Sequence, residues 1–181
     1  MNITLYGAAS DSIDSVYKDA VYELGREMAR RGHTMVYGGG ATGLMGAAAN
    51  GLHDGGGGII GVVPNFMSGI EELYDKCTEL INTQTMSERK DIMESLADAF
   101  IIVPGGIGTF DEFFQILTLR SLGRMDKPIV LFNVNSFWNG MLSVIGSVVF
   151  KGFIGSGITS CFTVCESART TIDTLEKLLC K

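Results

Sequence analysis

Gly105, Gly106 and Gly108 follow directly on the apolar run Phe100-Ile101-Ile102-Val103-Pro104, and Thr109, Asp111 and Glu112 come next. Strand, glycine-rich turn and helix N-terminus in that order make an anion site. Glycines let the backbone approach a ligand closely, and the unpaired N–H groups of a first helical turn point at it. Thr109 fits as the N-cap of that helix or as a hydroxyl that bonds a phosphate oxygen. An ordinary tight strand-to-helix turn would use the same residues. Two further stretches therefore have to be weighed with it: the loop Gly38-Gly39-Gly40 after Tyr37, and the basic pair Arg89-Lys90.

The Gly38–Gly40 loop formally satisfies a dinucleotide fingerprint through Gly38, Gly40 and Gly43. That fingerprint needs an acid about twenty residues on, at the end of the next strand, to hold a ribose diol. The next strand is Ile59–Val63 and carries none. A mononucleotide fits better than NAD. Arg89 and Lys90 open a predicted helix, where cations oppose the macrodipole. They are either a solvated basic pair or, for Arg89, a guanidinium facing a phosphate, which it can bind bidentately. Glu112 is either a first-turn carboxylate favoured by the dipole or a carboxylate beside the phosphate loop, able to orient a water or hold ribose hydroxyls. Glu71, in an irregular stretch after Pro64, reads as surface.

The elements that must position these residues alternate regularly. Strands are expected at Asn2–Gly7, Thr34–Tyr37, Ile59–Val63, Phe100–Val103, Pro128–Asn133 and Phe162–Cys165, with a short one at Thr78–Asn82. Helices are expected from Ser15 to Gly32, after Gly43, over Ser87–Ala97, Thr109–Leu122 and Ser136–Phe150, and from Thr170. The small residues of Gly43-Leu44-Met45-Gly46-Ala47-Ala48-Ala49 would let a helix pack closely on a sheet. Continuously apolar strands alternating with helices mean a parallel sheet covered on both faces. The fold class is α/β: a Rossmann-like doubly wound sheet, and residues 1–181 are read as a single nucleotide-binding domain. Ligands in such sheets sit beyond the carboxyl ends of the strands. The loops after Tyr6, Tyr37 and Val103 share that edge.

A net charge of −6 and a pI near 4.9 argue against nucleic acid and anionic membranes as partners, while leaving room for a local basic site. The most apolar helix-like stretch, Ser136–Phe150, is too short to span a bilayer. No charged and then apolar leader precedes Asn2, and a cytoplasmic protein is expected. Four cysteines and two histidines offer no disulfide framework and no zinc spacing. Cys161 and Cys165 would share one face of an extended strand, as small buried hydrophobes. No metal is expected.

These residues recur together in one family. Tyr37-Gly38-Gly39-Gly40-Ala41-Thr42-Gly43-Leu44-Met45-Gly46 resembles the glycine-rich loop of the LOG ("lonely guy") family. Met86-Ser87-Glu88-Arg89-Lys90 resembles its Met-x-x-Arg-Lys element. Pro104-Gly105-Gly106-Ile107-Gly108-Thr109-Phe110-Asp111-Glu112 fits its Pro-Gly-Gly-x-Gly-Thr-x-x-Glu signature. Lys127–Asn133 also fits. Two departures stand out: Gly7-Ala8-Ala9-Ser10 where the family has Gly-Ser-Ser, and Ser87 where it often has His. Members were long labelled lysine decarboxylases. The resemblance implies hydrolysis of a cytokinin nucleoside 5′-monophosphate to free base and ribose 5-phosphate, without a cofactor. It implies Arg89 and Glu112 as the catalytic pair, and Gly105, Gly106, Ile107, Gly108 and Thr109 at the phosphate. Glu71, Lys90 and Thr118 are its further substrate contacts.

The mechanism expected is departure of the base through an oxocarbenium-like transition state. Glu112 would stabilise the positive charge or activate water, and the glycine loop and Arg89 would fix the phosphate. A pyridoxal-phosphate decarboxylase would need a Schiff-base lysine, and Lys90 is the only lysine near the motifs. A non-catalytic nucleotide-binding or carrier protein would keep the glycine loops but need neither Arg89 nor Glu112. Phe110, Phe113, Phe114, Ile116, Leu117 and Leu119 spread round more of their helix than one sheet face covers. A homodimer is expected there, as the resemblance also implies, with Thr118 near the partner's site.

Overall fold

The computed structural model describes residues 1–67, 69 and 72–180. Its strands are β1 (Asn2–Tyr6), β2 (Thr34–Tyr37), β3 (Gly58–Pro64), β4 (Glu79–Thr83), β5 (Ala99–Ile102), β6 (Ile129–Phe132) and β7 (Thr163–Cys165). Its α-helices are α1 (Ser15–Arg30), α2 (Gly43–Asp54), α3 (Met86–Leu96), α4 (Ile107–Ser121), α5 (Asn139–Phe150) and α6 (Ala168–Leu179). The strands form one parallel sheet in the order β4-β3-β2-β1-β5-β6-β7. The chain runs outward from β1 to β4, then returns to lay β5 on the other side of β1. The reversal of strand order thus falls between β1 and β5, where Leu5 pairs with Ile101 and Tyr6 with Ile102.

Both faces of the sheet are buried, which is why its central strands are mostly apolar on both sides, with Thr4 of β1 a buried exception. Ile3 and Leu5 belong to a core with Leu24, Met28, Leu52 and Leu175 beneath α1, α2 and α6. Tyr6 and Phe100 belong to a second core with Met93, Phe113 and Trp138 beneath α3, α4 and α5. Each fully buried side chain of this size contributes about 1.5–3 kcal/mol of transfer free energy. The small residues of α2 lie in the core against the sheet, as expected, and serve a second purpose as well. They bring α2 against α1: a Cβ at Gly25 would strike the Ala48 carbonyl, and one at Gly51 the Tyr22 carbonyl.

Three expectations change. Thr109 does not cap α4; Gly106 does, and Thr109 lies inside the first turn with its side chain buried. Cys161 precedes β7, closing a 3-10 turn over Ser156–Ser160, so Cys161 and Cys165 share no strand face. The stretch after Pro64 is also less irregular than its composition suggests. It opens with a 3-10 turn, Asn65–Met67, and its far end docks on the second glycine loop. There Ala41 N–H donates to the Glu72 carbonyl (2.8 Å) and Tyr74 N–H to that of Gly39 (2.9 Å). Among the described residues no helix is long and apolar enough to cross a membrane.

Candidate active site

The three loops at the carboxyl edge of the sheet are tied together by backbone bonds. Ala8 N–H donates to the Pro104 carbonyl (3.2 Å), and Leu44 N–H to that of Ala8 (2.8 Å). The Thr42 hydroxyl donates to the Ala9 carbonyl (2.7 Å). They enclose a cavity of about 230 Å³ whose lining includes Gly7, Ala8, Gly38, Met45, Arg89, Lys90, Gly106, Gly108, Thr109 and Glu112. The cavity lies over the β1/β5 reversal, where a doubly wound sheet places its ligand.

α4 begins in this cavity without a side-chain cap. By contrast α1, α3 and α6 start on Asp14, Thr85 and Ser167, each accepting a bond from its own first turn. The first N–H groups of α4 therefore face the cavity with the positive end of the helix dipole behind them. Gly106 and Gly108 line the opening, and no protein atom stands where their side chains would be. Gly105 lies behind the cavity, where a Cβ would strike the Thr109 side chain. Ile107 is 84% exposed and turned away from the fold, so only its backbone belongs to this turn.

α3 delivers the cations. Thr85 caps α3, its hydroxyl accepting from Glu88 N–H (3.1 Å), while the Glu88 carboxylate reaches back past the cap to accept from Gln84 N–H (2.6 Å). Arg89 falls one turn further and is buried, not solvated. Its Nε donates to the Val62 carbonyl (3.2 Å) and its Nη1 to Glu112 Oε1 (3.0 Å). Its Nη2 lies against Gly38, where any side chain would displace it. Glu112 sits beyond the first turn of α4, so stabilising the helix dipole is not its role. Burial pushes its carboxyl up to about 7 despite the Arg89 guanidinium, with Asp111 adding and Lys90 subtracting. Lys90 pairs with Asp111 (3.1 Å) across the same α3–α4 seam.

Thr118 is not brought to this cavity; it is exposed, and its hydroxyl bonds back to the Phe114 carbonyl (2.7 Å). Glu71 lies outside the described residues. Sequence reasoning missed Met45, Met67 and Met86, which line the cavity with Pro64, and the pairing of Asp111 with Lys90. The methionines lie in three separate segments, and no periodicity connects them. Asp111, one residue before Glu112, was the findable one.

A family model described as "possible lysine decarboxylase" matches residues 45–175. The cytokinin riboside 5′-monophosphate phosphoribohydrolase LOG of Oryza sativa subsp. japonica is 38% identical over 175 residues, 97% of this chain and 72% of the relative. The cytokinin riboside 5′-monophosphate phosphoribohydrolase of Rhodococcoides fascians is 38% identical over 172 residues, 94% of this chain and 87% of the relative.

The chain belongs to the LOG family.

Among solved structures, this LOG-family chain resembles the molybdenum cofactor carrier protein of Chlamydomonas reinhardtii, with a TM-score of 0.76. The two share 24% identity, and the match covers 99% of this chain and 98% of the other. At that identity the likeness is one of fold. Lys90, the lysine near the motifs, pairs with Asp111 across the α3–α4 seam.

Proposed function

We propose that this LOG-family chain hydrolyses the N-glycosidic bond of a purine or cytokinin nucleoside 5′-monophosphate, releasing the free base and ribose 5-phosphate. The observation that carries this reading is the buried Arg89–Glu112 pair facing the uncapped start of α4 in one cavity. The 5′-phosphate sits on the N–H groups after Gly106, with Gly108 and Thr109 beside it and Arg89 Nη2 completing the cradle. That anchor sets the ribose towards Glu112, so remote binding energy orients the reacting bond. As the base leaves, positive charge grows on the ribose, and the Glu112 carboxylate stabilises it or takes a proton from the attacking water. Lys90 reaches the substrate from the cavity rim. Met45, Met67 and Met86 give the base an apolar, polarisable wall.

The homodimer belongs to the same reading. The core takes up Phe113, Ile116 and Leu117, while Phe110 packs edge-on against Trp138 with ring centroids 5.4 Å apart. Phe114 and Leu122 of this region, Val144 and Phe150 of α5, and Phe153 after it stay exposed, which supports a two-fold contact on this side. Thr118 would face the partner there. A carrier protein would need neither Arg89 nor Glu112. The deciding experiment is chromatography of a panel of nucleoside monophosphates after incubation with the protein and with Glu112→Gln. Base release by the native chain, with none from the variant and monophosphate binding within about tenfold, is expected. Binding without release by the native chain would leave the carrier reading.

A further inference from the structure

The hydroxyl of Tyr6 is buried and has no hydrogen-bond partner. Tyr6 ends β1, just before the first loop of the cavity. Side chains alternate along the strand, so Thr4 and Tyr6 face α3 and α4 while Ile3 and Leu5 face α1. Thr4 confirms the side, since its hydroxyl donates to the Met93 carbonyl of α3 (3.0 Å). The Tyr6 ring stacks on Phe100 (6.1 Å) and belongs to the core containing Met93 and Phe113. Its hydroxyl therefore lies beneath the α3–α4 seam, which Arg89–Glu112 and Gln115–Glu94 bridge.

Phenylalanine would fill this place without burying an unmade hydroxyl, so the hydroxyl costs stability in the unloaded protein. Glu112 accepts from Arg89 on Oε1, and among the described residues nothing donates to its Oε2. We propose that Tyr6 is a positioning residue for Glu112: when a nucleotide draws Arg89 towards its phosphate, the Tyr6 hydroxyl donates a hydrogen bond to the Glu112 carboxylate. This rests on the reading of the site given above. No proton is transferred; the bond keeps Glu112 charged and aimed after its guanidinium partner is shared with the ligand.

The groups that face Glu112 are Arg89 and Lys90 on α3, Asp111 on its own helix and Tyr6 on β1; Glu94 on α3 also faces Tyr6. Burial first, then Glu112 and Glu94, push the Tyr6 phenol well above its ordinary range, so it stays protonated and able to donate.

The test follows the Glu112 carboxyl by NMR in protein labelled with carboxyl-¹³C glutamate, native and Tyr6→Phe, with Glu112→Gln assigning the resonance. Ribose 5-phosphate serves as the probe. With it bound, the midpoint in Tyr6→Phe is expected roughly half to one pH unit above native, because a donor to the charged form is gone. Without it the two should coincide. The acid limb of kcat should move the same way at unchanged KM, while the variant melts at or above the native temperature. Replacing Tyr6 by 3-fluorotyrosine, a stronger donor of the same shape, should move the bound-state midpoint down, and this arm decides if Tyr6→Phe folds poorly. Coincident bound-state titrations would overturn the proposal. A shifted midpoint in a protein that releases no base would uphold the positioning and fail the hydrolase reading.

Discussion

Arg89 and Glu112 meet at 3.0 Å with each side chain only 11% exposed, joining α3 to α4 over the carboxyl edge of the sheet. Neither charge would be placed there for stability alone. A buried ion pair roughly offsets its own desolvation, and removing one partner leaves the other charge uncompensated. The pair makes sense as two groups held ready for a substrate that supplies the opposite charge to each: phosphate for Arg89, a developing ribosyl cation for Glu112.

Arg89→Ala should therefore act twice. Affinity for a nucleoside monophosphate should fall by the value of a charge-assisted bond, about 1.5–3 kcal/mol, measurable by calorimetry. Turnover should fall with it. On the native protein, a nucleoside without its 5′-phosphate should be a poor substrate, and equal rates on the two would remove the phosphate anchor.

The pH profile of activity and that of stability should run in opposite directions through Glu112. Its folded carboxyl is raised from 4.5 to about 7, so between those values the folded chain holds a proton that the unfolded chain has lost. From this group alone, stability is full below about 4.5 and declines as pH rises to about 7. In the proposed mechanism Glu112 acts as the carboxylate, so kcat/KM, which reports the unliganded protein, should rise through a midpoint near pH 7. Rate measurements and thermal melts over the same pH series check both slopes, and Glu112→Gln should flatten the corresponding segment of the melting curve.

Two glycine substitutions should separate room for the protein from room for the ligand. In Gly38→Ala the new methyl collides with Arg89 Nη2, so the guanidinium is displaced and base release falls even where the fold persists. In Gly108→Ala the methyl meets no protein atom and alanine favours the helix, so the melting temperature should hold or rise. Monophosphate affinity should nevertheless fall, because the methyl stands where the phosphate approaches. Unchanged affinity in Gly108→Ala would move the phosphate elsewhere.

Light scattering in dilute solution should give about twice the 19.4 kDa chain mass. Phe114→Glu should shift the population towards single chains by placing charge in the apolar contact. A fully active particle of one chain mass would overturn the dimer.

The order and class of every major element were legible in the sequence, because each depends on local patterning. Short continuous apolar runs such as Phe100–Ile102, closed by Pro104 and glycines, read as strands buried on both faces, and the sheet has a core on each. The three glycine-bearing loops could be placed on one edge because parallel strands point all their carboxyl ends the same way. Motif resemblance then singled out Arg89 and Glu112 from other charged residues. What only the tertiary structure decided were relations between segments distant in the chain. Whether Arg89 is solvated or buried depends on α3 packing over β3, where the Val62 carbonyl takes its Nε bond. That Glu112 belongs to an ion pair depends on the same packing, while its distance from the helix dipole follows from α4 starting at Ile107. The small residues of α2 were visible, but their partner, α1, was not. Local sequence fixes backbone preference and the pattern of burial; which charge meets which is fixed only when helices settle on a sheet, because desolvation and Coulomb attraction act through space and not along the chain.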